Sequence, residues 1–253
     1  MKLLCFTSAK GGAGTSFVLS CIAYALAKAG RRCLVADMHC GIRTLDWYMG
    51  TDGDFVFDMQ DVLSGNCNFE DALVRINDRL DFISCSQEDG TDDYQAMTDM
   101  LKRSCGEYDY VLADCPLCYA ADAPTGCYDS VMVVTSCDRA SVRCTEKLVY
   151  RMDDEQTKYL VINNIIPEFI QNGYHNNVDD ICDICGVAPI GLIPYEPLAV
   201  TGDAKLVMES GSQMVEALGN TALRIDGGSV SAVDFKGKTL FHKLMKKYNR
   251  RND

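Results

Sequence analysis

The sequence predicts an α/β fold: a doubly wound, mostly parallel β-sheet flanked by helices. Three observations predict it. Short, near-continuous apolar runs alternate with helical patterns, as βαβ units require. The runs lack the every-other-residue polarity of half-exposed strands, so both faces of the sheet are expected to be covered. A glycine-rich loop follows the first run directly and opens a helix.

In order, strands are expected at 2–7, 33–37, 80–85, 108–114, 130–136, 158–163 and 189–193. Helices are expected near 15–29, 92–105, 139–152, 173–185 and 211–224. Gly30 stands where a helix C-terminus is expected to stop. Ligands of such sheets sit at the carboxyl ends of the strands. There is no internal repeat. The small, polar stretch 226–234 reads as a linker between a body, 1–225, and a tail, 235–253.

The 253 residues are 47% hydrophobic and 24% charged, enough to bury one large core. Net charge is −12, unevenly placed: the tail carries +6 and the other 234 residues −18. So acidic a body argues against a DNA-binding face, and no DNA partner is expected. No apolar run approaches the ~18 residues of a membrane span, and the first residues are too weakly apolar for a signal peptide. A cytoplasmic location is expected, with most of the 14 cysteines reduced and acting as small hydrophobes.

The loop Ser8-Ala9-Lys10-Gly11-Gly12-Ala13-Gly14-Thr15-Ser16 has the setting of a phosphate cradle. Glycines let successive N–H groups curl around an anion, and the helix N-terminus adds positive potential. Against the pattern G-x-x-x-x-G-K-[ST], Ala9 replaces the first glycine and Thr15 the lysine, while Ser16 keeps the hydroxyl that would ligate Mg²⁺.

Lys10 before the two glycines gives K-G-G-x-G-x-[ST], which resembles the deviant Walker A loop of the MinD/ParA family. Val35–Asp46 with Met49-Gly50 resembles the family's second strand and switch I, and Asp58–Gly65 the helix after it. Tyr108–Pro116, containing Asp114, resembles the Walker B strand and the start of switch II. Tyr159–Asn164 resembles the strand whose Asn, here Asn163, reads adenine; Gly191–Glu196 resembles the late strand and base loop, with Pro194 and Glu196. The resemblance runs over about residues 1–220 in the family's order.

It implies a P-loop NTPase fold with ATP and Mg²⁺ as cofactors and a nucleotide-dependent homodimer. In that dimer Lys10 would act in trans on the partner's phosphates. Cofactor contacts would come from Lys10 to Ser16 and from Asn163, Pro194 and Glu196. Ser16, Asp37 and Asp114 would serve Mg²⁺, directly or through water. Thr15 removes the cis lysine; a lost charge-assisted contact costs about 1.5–3 kcal/mol, or about one to two orders of magnitude in affinity. Some TadZ/CpaE-type relatives, which position pili, also carry Thr there.

The family's water-positioning acid, two residues after Asp37, is replaced by His39, whose neutral imidazole could accept a proton. Cys115-Pro116-Leu117-Cys118 lacks the family's switch II glycine. Slow or absent turnover is therefore expected.

Cys115/Cys118 and Cys182/Cys185 are C-x-x-C pairs, a metal or iron–sulfur spacing that Mrp-type relatives use; Cys182 and Cys185 also fit the apolar face of a helix. On a helical wheel, Leu240, Phe241, Leu244, Met245 and Tyr248 share one face. Lys243, Lys246, Lys247 and Arg250 share the opposite one. This is the pattern of an interfacial membrane anchor and resembles MinD's targeting tail; folding back on the acidic body and a solvated charge run are the competing readings.

The function expected is an ATP-binding positioning protein, peripheral at the inner face of the plasma membrane. It would recruit a partner of the division or pilus/secretion machinery. The alternatives are a binding-only pseudo-ATPase scaffold and an Mrp-like iron–sulfur carrier.

Overall fold

A computed structural model of the chain describes residues 1–41, 44–51, 55–85, 93–116 and 127–230. Eight strands form one sheet: β1 (Lys2–Thr7), β2 (Cys33–Asp37), β3 (Leu73–Asn77), β4 (Leu80–Ile83), β5 (Tyr110–Asp114), β6 (Ser130–Ser136), β7 (Lys158–Ile165) and β8 (Pro189–Pro194). Their spatial order is β3-β4-β2-β5-β1-β6-β7-β8. All pairings are parallel except β3 with β4. The sheet is therefore the mostly parallel, doubly wound one expected.

The helices are α1 (Thr15–Lys28), α2 (Leu45–Met49), α3 (Met59–Leu63), α4 (Tyr94–Ser104), α5 (Arg139–Arg151), α6 (Pro167–Gln171), α7 (Val178–Cys185), α8 (Ala204–Glu209) and α9 (Gln213–Ile225), with 3₁₀ turns at Phe69–Ala72 and Pro197–Thr201. Their apolar sides build two cores, one on each face of the sheet. Leu19, Ile22 and Leu26 of α1, with Leu218 of α9, fill one; Met97 and Leu101 of α4, with Ile181 of α7, belong to the other.

All seven expected strands begin and end within two residues of their places, β7 extending two residues further, to Ile165. The antiparallel β3 is an addition. Its sequence, LVRIN, is half exposed on an outer strand and carries Arg75, so it lacked the signature of a buried strand. The helix expected at 173–185 is shorter. Gly173, at φ 73°, follows α6, and Asn177 then caps α7 by accepting from the Asp180 N–H. Gly30, at φ 93°, does lie just past the end of α1. Asp226 closes α9. The tail, with Leu240, Phe241, Lys243, Leu244, Met245, Lys246, Lys247 and Tyr248, lies outside the described residues, as do 231–234 of the linker. Among the described residues no helix is long and apolar enough to cross a membrane.

Candidate functional site

β1 runs between β5 and β6, so the crossovers leave in opposite directions and open a crevice at the strands' carboxyl ends. The glycine loop lies there. Gly12 and Gly14 take φ 82° and 86°, a region that side chains disfavour. Gly14 is the N-cap of α1 and supplies no side-chain hydrogen bond, so the first amides of this fourteen-residue helix stay available to an anion. A Cβ at Gly14 would stand 2.5 Å from Asn163 Nδ2. That amide donates to the Ala13 carbonyl at 2.9 Å and ties β7 to the loop.

A cavity of about 370 Å³ opens over the loop. Gly11, Gly12, Ala13, Gly14, Thr15, Ser16, His39 and Asp114 line it, as the sequence led one to expect. Ser8, Phe17, Thr44, Tyr48 and Cys115 line it too and were not foreseen. Tyr48 arrives on α2 and meets Phe17 edge-on, with ring centroids 6.0 Å apart; nothing in the local sequence shows that α2 folds back over α1.

Asp37 and Asp114 end β2 and β5 and are register partners. Both are about 1% exposed. Burial foremost, and the Asp37 charge next to it, push the Asp114 carboxyl up to about 6, against the lowering effects of His39 and Ser16. Ser16 Oγ donates to Asp114 Oδ2 at 2.5 Å. Asp114 Oδ1 and Thr15 Oγ1 are buried without a hydrogen-bond partner.

A hydroxyl on a carboxylate, a second carboxylate alongside and orphaned oxygens suit a Mg²⁺–polyphosphate. Among the described residues no three His, Cys, Asp or Glu could hold a metal by themselves. Mg²⁺ usually needs only one or two carboxylates when phosphate oxygens supply the rest. The residues present therefore fit Mg²⁺ with a nucleotide.

His39 lines the cavity beside both carboxylates. Its backbone N–H donates to Asp37 Oδ1 at 2.9 Å, and its Nδ1 lies 3.6 Å from Asp37 Oδ1 and 4.0 Å from Asp114 Oδ1. Burial by itself would lower its affinity for a proton, but the two carboxylates outweigh burial and raise it. The imidazole is thus held between two carboxylates that favour its protonated form.

Lys10 points out of its own cavity. Its Nζ reaches Asp138 Oδ1 at 3.5 Å and Ser141 Oγ at 3.4 Å. Asp138 caps α5 by accepting from the Ser141 N–H at 3.0 Å. Burial opposes ionisation there, but bonds from Ser141 and Ser136 and the charge of Lys10 outweigh it and hold the carboxyl well below the usual range. Sequence reading missed Asp138. Its signal was a strand, an Asp and a helix in succession, at the sheet edge where the loop lies.

Asn163 is 2% exposed and lies behind the loop, outside the cavity lining. Pro194 ends β8, and Glu196 caps the 3₁₀ turn by accepting from the Leu198 N–H at 3.4 Å. Neither lines the cavity.

Cys182 and Cys185 sit on the core face of α7, where burial pushes their thiols up to about 12 and 11. Such thiols give up their protons reluctantly, which disfavours the metal reading of that pair. Cys115 faces Met38 Sδ at 3.7 Å and Tyr128 Oη at 3.3 Å; Cys118 lies outside the described residues. One pair departs from the reduced state expected of most: Cys40 and Cys85 are bonded, at a Cα–Cα distance of 5.4 Å.

A family model described as the cellulose biosynthesis protein BcsQ matches residues 1–171. The septum site-determining protein MinD of Helicobacter pylori is 27% identical over 257 residues, covering 95% of this chain and 96% of that one. Among solved structures, the MinC:MinD cell division protein complex of Aquifex aeolicus matches with a TM-score of 0.81 and 28% identity, covering 92% of this chain and 99% of that one. Pyrococcus horikoshii MinD, complexed with Mg-ADP, has the same fold at a TM-score of 0.70 and 19% identity, covering 89% and 96%.

Proposed function

The chain belongs to the MinD/ParA family of P-loop ATPases, and from that premise we propose that it is a nucleotide-gated positioning protein. It binds ATP with Mg²⁺, pairs with a second copy, settles on an anionic membrane surface and recruits a partner machine. Mg-ATP, held by the loop amides with Ser16 and Asp114, would supply a compact polyphosphate charge.

One observation carries this reading: the cavity's own chain leaves it short of cations. Among its lining residues His39 is the sole basic side chain, and Lys10 is turned outward to Asp138. Loop amides and the start of α1 can grip phosphate oxygens, yet much negative charge is left. A lysine in Lys10's outward position can meet that charge on a facing copy. Nucleotide then favours the dimer because the dimer completes the site.

The replacement of the switch I acid by His39, which two carboxylates bias toward its protonated form, and the missing cis lysine support slow or absent turnover, so a binding-only scaffold differs from this reading in rate alone. The tail supplies the membrane step. Five apolar side chains at roughly 1–2 kcal/mol each and basic groups at about 1 kcal/mol each are set against ordering some dozen residues at about 1–2 kcal/mol each. One tail binds marginally and two bind by avidity. The MinC-bound Aquifex relative makes a division protein the first partner to test. The BcsQ match favours a second reading, in which the positioned machine builds a surface polysaccharide.

The test is co-sedimentation with anionic vesicles, with ATP or ADP, for the full chain and for a chain ending at residue 235. ATP-dependent pelleting of the full chain alone is expected. Equal pelleting of the shortened chain defeats the anchor, and absence of Mg-ATP binding at millimolar concentration defeats the gate.

A further inference from the structure

β2 and β4 are parallel neighbours, with Ala36 opposite Ile83. Four residues past the first and two past the second stand Cys40 and Cys85, 45 positions apart in the chain and joined through sulfur. Their Cα separation of 5.4 Å lies inside the roughly 4.4–6.8 Å that disulfides span. The strip between bridge and cavity is short: Asp37, Met38 and His39. Met38 N–H is bonded to the Asp114 carbonyl at 3.0 Å, and His39 lines the cavity.

We propose that Cys40 and Cys85 form a reversible oxidation site, with a hydroperoxide as its oxidant, that fixes or frees the segment carrying Asp37 and His39. Position makes the pair selective. Cys40 is partly exposed and Cys85 is buried beneath it. Cys33, Cys105, Cys137 and Cys182 are buried thiols pushed up to about 12, so they stay protonated and slow to react. Cys67 and Cys144 are partly exposed free thiols, open to oxidant but not bonded to a second cysteine.

The chemistry balances in two steps. The Cys40 thiol gives up its proton and its sulfur attacks the terminal peroxide oxygen; the O–O bond breaks, the leaving oxygen takes up that proton as the alcohol (water from hydrogen peroxide), and a sulfenic acid remains on Cys40. The Cys85 sulfur then attacks the Cys40 sulfur; the S–S bond forms, the S–O bond breaks, and hydroxide leaves with the Cys85 proton as water. Two thiols lose two electrons and the hydroperoxide gains them. A small dithiol restores both thiols by exchange through a mixed disulfide. Closing the bridge ties the His39 strip to the end of β4; opening it returns the backbone freedom of residues 38–41.

The consequence for ligand handling rests on the phosphate-site reading, so the test has an arm that does not use nucleotide. The full chain is treated with stoichiometric hydrogen peroxide or with dithiothreitol, digested without reductant and mapped. Hydrogen exchange is followed in peptides covering residues 37–49. A single 40–85 cross-linked peptide is expected, reversed by dithiothreitol, with exchange at least about threefold slower in the bridged form. Cys40→Ser, at a partly exposed position, should exchange at one rate under both treatments. Separate alkylation of Cys40 and Cys85 after peroxide overturns the site, and so does equal exchange in bridged and open protein. In the second arm, mant-ADP release should be slower from the bridged form. If neither form binds mant-ADP, the phosphate reading fails while the oxidation site stands on mapping and exchange.

Discussion

Lys10 Nζ lies 3.5 Å from Asp138 Oδ1, across 128 positions of sequence. Lys10 is held outside its own cavity, by the residue that caps α5. Asp138→Asn keeps the cap, since Asn serves an N-terminus as well as Asp, and removes the charge. Exposed pairs are worth about 0.2–1 kcal/mol. Freed Lys10 should strengthen ATP-dependent self-association by up to about fivefold per site, while the melting temperature falls modestly, because the carboxylate that accepts from Ser136 and Ser141 is replaced by a neutral amide. Sedimentation velocity at matched ATP checks it; unchanged association means the pair holds nothing back.

Thr15 lines the cavity, and its hydroxyl is buried without a partner. In Thr15→Lys a cation replaces that idle group. Mg-ATP affinity should rise about tenfold to hundredfold, following the roughly 1.5–3 kcal/mol of a charge-assisted hydrogen bond. Titration calorimetry measures this, and equal affinities would show that the loop amides already meet the demand.

Gly14 has no room for a methyl group: φ is 86° and Asn163 Nδ2 waits 2.5 Å from the ideal Cβ. Gly14→Ala should cost about 2–3 kcal/mol, from the left-handed conformation and the displaced Asn163–Ala13 bond. Gly11→Ala, at a position with nothing within 4 Å, should cost far less. Urea denaturation of the two variants decides, and similar midpoints would refute the close fit.

Asp226 is held below the ordinary carboxylate range by its hydrogen bond from Arg31 first, with a further one from Tyr110 at 2.8 Å. A depressed carboxyl stabilises the fold above the unfolded value of about 3.9, and that stability is lost as pH falls through the folded value. Urea midpoints should therefore fall more steeply below about pH 4 in the parent than in Asp226→Asn. Parallel acid limbs would show that this cluster, which joins the end of α9 to Arg31 and to the start of β5, carries none of the acid sensitivity.

The strands were legible because burial on both faces leaves a local record: CLVAD and SVMVVTS carry few polar residues to place outward. β3 was not legible, since LVRIN lies half exposed on an outer strand and reads like a loop. In the site, the glycine loop and Ser16 were legible from spacing, because a phosphate cradle is made by consecutive amides, whereas Asp114 was legible only through the family resemblance of its strand. Asn163 was singled out by resemblance as a reader of adenine, and its bond to the glycine loop was not foreseen. Its amide is drawn to the Ala13 carbonyl, which is fixed by the fold of a strand 150 positions away.

By itself, the sequence determined the α/β class, the loop that can hold a polyphosphate, the absence of a loop lysine and the segregation of charge into the tail. Each of these depends on neighbours in the chain. Only the tertiary structure decided that Lys10 pairs with Asp138, that His39 stands between two carboxylates, and that Cys40 meets Cys85. Charge interactions and sulfur chemistry depend on distances of a few ångströms between groups up to 195 positions apart, and the parallel crossovers of the sheet set those distances.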